Sequence, residues 1–215
     1  MKSRLCRLLI LTMLTPIFAH IDAAHADSKS PNKPRISQRG DLLISDDFSS
    51  GTIDKPWRVT VKNFSVQRQA LVGEQVKGNG YGATIIGRCV AQDAIVECSV
   101  KLFRSKGLTV SLVGRSPNGE TLTRARVVIR SNVIELYDYQ TSISKEYISL
   151  SPSKLYRVML EVQGDKAVFH VNGKPVISGK APGFSYPKKA ARFAVTAGPG
   201  LIDDITVHAA SPLSK

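Results

Sequence analysis

Residues 121–139 read TLTRARVVIRSNVIELYDY, two apolar-rich runs joined at Ser131-Asn132. Successive side chains of a strand leave opposite faces. In the first run Ala125, Val127 and Ile129 therefore point one way, and Arg124, Arg126, Val128 and Arg130 the other. In the second, Ile134 and Leu136 oppose Glu135, Tyr137 and Tyr139. Period two on both sides of a short polar turn predicts an antiparallel pair with one core face and one polar face.

The same pattern recurs on either side. In 94–103 the apolar set Ala94, Val96, Cys98, Val100 and Leu102 is opposed by Glu97, Ser99 and Lys101, and in 108–114 Leu108, Val110 and Leu112 oppose Thr109, Ser111 and Val113. Further apolar runs cover 83–90, 155–163, 166–171, 192–197 and 201–208. Between runs stand Ser116-Pro117-Asn118-Gly119, Gln163-Gly164-Asp165 and Asn172-Gly173. Asn-Gly favours hairpins because both residues tolerate positive φ. No helical period lasts three turns. The expected fold is all-β, an antiparallel sandwich or barrel forming one domain over 41–210. A flexible polar arm at 27–40 and a short tail at 211–215 complete the expectation.

The N-terminus reads differently. Lys2, Arg4 and Arg7 precede an apolar run over 8–18, and Ala24-His25-Ala26 follows. That order describes a secretory signal peptide over 1–26, so the expected location is secreted or periplasmic. No later segment is apolar enough to cross a membrane as a helix. The full chain has 30 basic and 17 acidic side chains, net +13. Cleavage would remove Lys2, Arg4, Arg7 and Asp22, leaving 27 against 16, net +11. Export turns the expected partner of this charge away from nucleic acid, for which no motif is present. Cys6 would go as well, leaving Cys89 and Cys98. Two readings stand for that pair: a disulfide closing a short loop, or two buried free thiols.

Several segments resemble the concanavalin A-like lectin/glucanase jelly roll, and within it the bacterial 3-keto-disaccharide hydrolase domain. They are Asp46-Asp47-Phe48-Ser49-Ser50-Gly51, Trp57-Arg58-Val59 and Phe64-Ser65-Val66 near the start, and Tyr156-Arg157-Val158 with Val171-Asn172-Gly173-Lys174-Pro175-Val176 later. Leu201-Ile202-Asp203-Asp204-Ile205-Thr206-Val207 resembles the closing strand. The resemblance spans roughly 42–209. It implies a jelly-roll β-sandwich whose first and last strands lie side by side and whose concave sheet forms a ligand groove. It also implies a structural calcium ion near those strands, with Asp47 and Asp203 as candidate ligands. The other reading of these aspartates is strand-end turn chemistry. The sequence asks for no further cofactor.

The chemistry is less specific than the fold. Sandwich glucanases carry alternating carboxylates on one strand, because two carboxyl groups must flank the glycosidic bond. This chain lacks that pattern, and Glu135 and Asp138 would point to opposite faces. His170 falls nearly opposite Met159, with Glu161 as a diagonal neighbour: an acid/base pair, or a surface histidine in a sheet. Trp57 reads as a core or rim residue rather than a sugar platform. The best lead is a basic face built from Arg88, Lys101, Arg115, Arg124, Arg126 and Arg130 with Tyr137 and Tyr139. Guanidinium forks suit carboxylates, sulfates and vicinal hydroxyls, and tyrosine offers a ring to sugar C–H faces. The bland alternative is a solvated sheet face. The expected function is an exported, non-catalytic carbohydrate-binding module with an anionic polysaccharide or cell-surface glycan as partner. A glycoside hydrolase of the 3-keto-disaccharide type and a structural cell-envelope protein are the alternatives.

Overall fold

A computed structural model describes residues 32–78 and 80–214. The signal-peptide expectation lies outside the described residues. Fifteen strands, β1 (Ser37–Asp46), β2 (Trp57–Val61), β3 (Phe64–Gln67), β4 (Ala70–Gly73), β5 (Ala83–Ala91), β6 (Ala94–Lys101), β7 (Ser105–Arg115), β8 (Thr121–Ile129), β9 (Val133–Asp138), β10 (Thr141–Tyr147), β11 (Tyr156–Gln163), β12 (Lys166–Val171), β13 (Lys174–Lys180), β14 (Lys188–Ala197) and β15 (Gly200–Pro212), form two antiparallel sheets. The seven-stranded sheet runs β10-β9-β8-β7-β14-β5-β2. The eight-stranded sheet runs β13-β12-β11-β6-β15-β4-β3, with β1 also on β15. A short 3-10 turn, Pro182–Ser185, precedes β14. No helix among the described residues is long and apolar enough to cross a membrane.

The core lies between the sheets and is the apolar half of each alternating strand. Val96, Cys98 and Val100 of β6 and Val158, Leu160 and Val162 of β11 meet Leu108, Val110 and Leu112 of β7 and Phe193 of β14. Burying each large side chain stabilises the fold by about 1.5–3 kcal/mol. Trp57 belongs to this core: it is 6% exposed. Its ring meets Phe193 edge-on at 5.8 Å, and its indole N–H donates to Asp46 Oδ2 at 2.8 Å. Gly87 lets it in, because a Cβ there would come within 2.5 Å of the indole ring.

Two expectations are corrected. The stretch 32–40 is not a free arm, for β1 starts at Ser37, which pairs with Pro212. The pairing extends the domain past both expected limits. Residues 32–37 lie as a strap over the outer face of the eight-stranded sheet. Glu161 Oε2 accepts the backbone N–H groups of Arg35, Ile36 and Ser37, each at 2.9 Å, and the Ser37 hydroxyl at 2.8 Å. Glu97 accepts from the Asn32 backbone N–H at 3.0 Å and from Arg39 and Arg157 at 2.7 and 3.1 Å. Second, Cys89 and Cys98 form no disulfide; both are free and buried. Cys89 sits on β5 and Cys98 on β6, in different sheets. β5 and β6 are not hydrogen-bonded neighbours, so no strand register sets the two residues opposite each other.

Candidate functional site

The outer face of the seven-stranded sheet carries one cross-strand row fixed by register. Tyr137 of β9 pairs with Arg126 of β8, Arg126 with Ser111 of β7, and Ser111 with Arg192 of β14. Arg192 in turn pairs with Ile86 of β5, and Ile86 with Arg58 of β2. Paired residues of neighbouring strands share a face, so all six side chains point away from the core. Short side chains line the middle: Ala190 and Ala194 of β14 flank Arg192 on the same face. The arginines therefore stand over a low floor.

The two central guanidiniums have no carboxylate of their own. Arg126 stacks on the Tyr137 ring, 4.4 Å from its centroid, and its Nε is buried without a hydrogen-bond partner. Arg192 donates to the Thr123 hydroxyl at 2.8 Å. Burial and then the neighbouring Arg126 charge pull the Arg192 guanidinium below its ordinary value. Two like charges held side by side in a half-buried site attract an anion.

The expected basic face is only partly assembled. A bulge between Ser111 and Leu112 on the β7–β8 ladder sets Arg124 against the core-facing Leu112 and leaves Ala125 at φ 42°. An extra residue shifts the following side chain to the other face, so Arg124 leaves the face that holds Arg126. It pairs with Asp138 at 2.8 Å and lies 4.9 Å from the Tyr186 ring and 6.0 Å from that of Tyr139. Arg130 is on the expected face but is bound to Glu135, which also takes Lys145 at 3.6 Å. Lys101 belongs to the opposite sheet, over the Phe103 ring. Arg88 faces outward and exposed, opposite Ala190, one row from Arg192. Arg115 closes β7, its Nε donating to Gly119 O at 3.2 Å. Arg192 was not among the expected residues. Its signal is the alternation of Ala191, Phe193 and Val195 against Arg192, Ala194 and Thr196.

The aspartates of the first and last strands make local contacts. Asp46 is used by the Trp57 indole and the Phe48 N–H, and Asp47 closes a turn onto the Ser49 N–H at 3.0 Å. Asp203, near the start of β15 and opposite Ser99, accepts the Asp204 N–H at 2.8 Å. Among the described residues no three of His, Cys, Asp or Glu come together as a metal site. On the other sheet His170 and Glu161 do meet, Nε2 to Oε1 at 3.3 Å, but they are 1% and 0% exposed beneath the strap.

No protein-family model and no curated protein matches the sequence. Solved structures do match in shape. Carbohydrate-binding module CBM66 from Bacillus subtilis superposes with a TM-score of 0.59 at 10% identity, covering 71% of this chain and 95% of that one. A protein of unknown function with a galectin-like fold, also from Bacillus subtilis, gives 0.62 at 16% identity, over 83% and 100%. SCLam, a non-specific endo-β-1,3(4)-glucanase of family GH16, gives 0.56 at 12%, over 84% and 97%. What is shared at these identities is the fold, a two-sheet jelly-roll β-sandwich.

Proposed function

We propose that this jelly roll is an exported carbohydrate-binding module that holds an acidic glycan on the outer face of its seven-stranded sheet. One observation carries the reading: Arg126 and Arg192 flank Ser111 without a carboxylate partner, beside a tyrosine ring. A carboxylate or sulfate would relieve their mutual repulsion and accept from both planar forks. The Tyr137 ring and the low floor of Ser111, Ala190 and Ala194 suit the flat faces of a sugar. The shape relatives that are, by description, a carbohydrate-binding module and a glucanase lend support from the side of the fold. Catalysis is not part of the proposal. Glu135, the carboxylate on this face of β9, is occupied by Arg130 and Lys145.

Retention on immobilised polygalacturonate or dextran sulfate, compared with neutral glucan, tests it. The wild-type protein should bind the anionic matrices at low salt and elute as ionic strength rises, since the charge attraction is screened. The double variant Arg126→Ala/Arg192→Ala should lose about tenfold or more in affinity, as charge-assisted hydrogen bonds are removed. Arg130→Gln, which breaks an existing ion pair, should bind as wild type. Equal retention of the double variant overturns the assignment of the site.

A further inference from the structure

The row of arginines is not the end of the unpaired charge on this face. Along β7, Ser111, Val113 and Arg115 share the outer side, and their partners on β14 lead from Arg192 past Ala190 to the bulge that holds Lys189. Arg88, exposed and opposite Ala190, stands beside this path. At its end lies a cavity of about 390 Å³ bounded by Arg115, Lys189, Tyr186, Pro187 and Pro117. Neither Arg115 nor Lys189 has a carboxylate partner. The Tyr186 ring is fixed by the Arg124 guanidinium at 4.9 Å, and that guanidinium is itself neutralised by Asp138 at 2.8 Å. Glu120, in the same turn, is exposed and paired with neither cation. The cavity thus combines two cations without a carboxylate, an aromatic ring held by a third, already compensated one, and two prolines that keep its walls stiff.

We infer that the glycan lies lengthwise along β7 and β14, with a second acidic sugar unit seated in this cavity between Arg115 and Lys189. The inference rests on the reading of the Arg126–Arg192 row given above. Four residues of strand separate Ser111 from Arg115, which is about 13 Å. A single sugar unit cannot reach both positions, whereas a chain of several acidic units can. Once one unit is seated on the row, the second contact is intramolecular and raises the affinity of long chains only. A ligand lying across the strands, along the Tyr137–Arg126–Arg192 row, would not touch the cavity at all.

Size-graded α-1,4-linked galacturonic acid oligomers, from the monomer to a chain well over 13 Å long, test this by titration calorimetry. Affinity of the wild-type protein should step up once the chain bridges the two positions. Arg115→Ser/Lys189→Ser should remove that step, costing about tenfold for long chains, and leave monomer and dimer binding unchanged. Arg115→Lys, which keeps the charge, should retain most of the step. Both sites are exposed or half-buried at the sheet end, and an unchanged melting temperature confirms the fold. An equal loss at every chain length, or none at any, overturns the lengthwise path while leaving the central row in place. Absence of binding by wild-type protein at every length overturns the central row as well.

Discussion

Lys188 is the most enclosed cation among the described residues. Its side chain is fully buried, and Nζ donates to the carbonyl oxygens of Gln92, Phe184 and Tyr186 at 3.1, 2.6 and 2.7 Å, with Asp93 at 3.8 Å. It thereby ties the 3-10 turn to the β5–β6 connection. Burial pulls its ammonium down to about 8, against Asp93, which favours the charge. The folded value lies below the unfolded 10.5, so between these limits the unfolded chain binds the extra proton. Stability from this group therefore rises with pH from about 8 to 10.5, and below 8 the full cost of holding the charge is present. Lys188→Met should lower stability by about 3 kcal/mol at neutral pH, because three carbonyls lose their donor. The gap between wild type and variant in urea midpoint should widen from pH 8 to 10. The thiols make a second test at this scale. Burial pushes Cys89 up to about 11 and Cys98 to about 12, so neither should react with a thiol reagent until the protein is denatured, and reductant should leave the melting temperature unchanged. From sequence, the apolar neighbours of Cys98 placed it in the core. The sheet that holds each cysteine depends on topology, which local alternation does not contain.

The elements most readily foreseen were those whose burial follows their own alternation. Strands β5 to β9, β11, β12 and β15 fall on the expected runs, and the pairing of His170 with Met159 has the expected register. Strands β10 and β13 were missed because they are edge strands, largely exposed and polar, such as TSISKEY over 141–147. The strap was missed for a different reason. Glu97, Arg157 and Glu161 do lie on the polar side of their strands, but a segment more than fifty residues away in sequence covers that side. Burial alone would raise the Glu161 carboxyl; His170 and the Arg35, Ile36 and Ser37 donors outweigh it and hold the group below its ordinary value. A carboxyl lowered on folding contributes stability above its unfolded value, lost as pH falls through the folded one. Glu161→Gln should therefore release the strap, with amide exchange at Arg35, Ile36 and Ser37 accelerating at least tenfold at neutral pH while exchange in β7 and β14 is unchanged. Uniform acceleration would instead mean that the strap and the sandwich open together. The bulge at Ala125 is the third missed element. Without it, simple alternation puts Arg124, Arg126 and Arg130 on one face; with it, Arg126 alone of the three remains without a carboxylate there.

At the scale of the described fold the two outer faces differ in how their arginines are paired. The outer side of the eight-stranded sheet is closed by the strap, and two of its arginines, Arg39 and Arg157, are matched by Glu97. The seven-stranded sheet keeps Arg58, Arg88, Arg126 and Arg192 on its outer side without carboxylate partners. The pairing of Ser37 with Pro212 has a further consequence. It brings the two ends of the described fold together beside Lys33 and Arg35, at the cavity that Leu213 and Ser214 line on the strapped face. An attachment made at Lys33 or Ser214 therefore lies on the strapped face, on the side of the sandwich away from the arginine row.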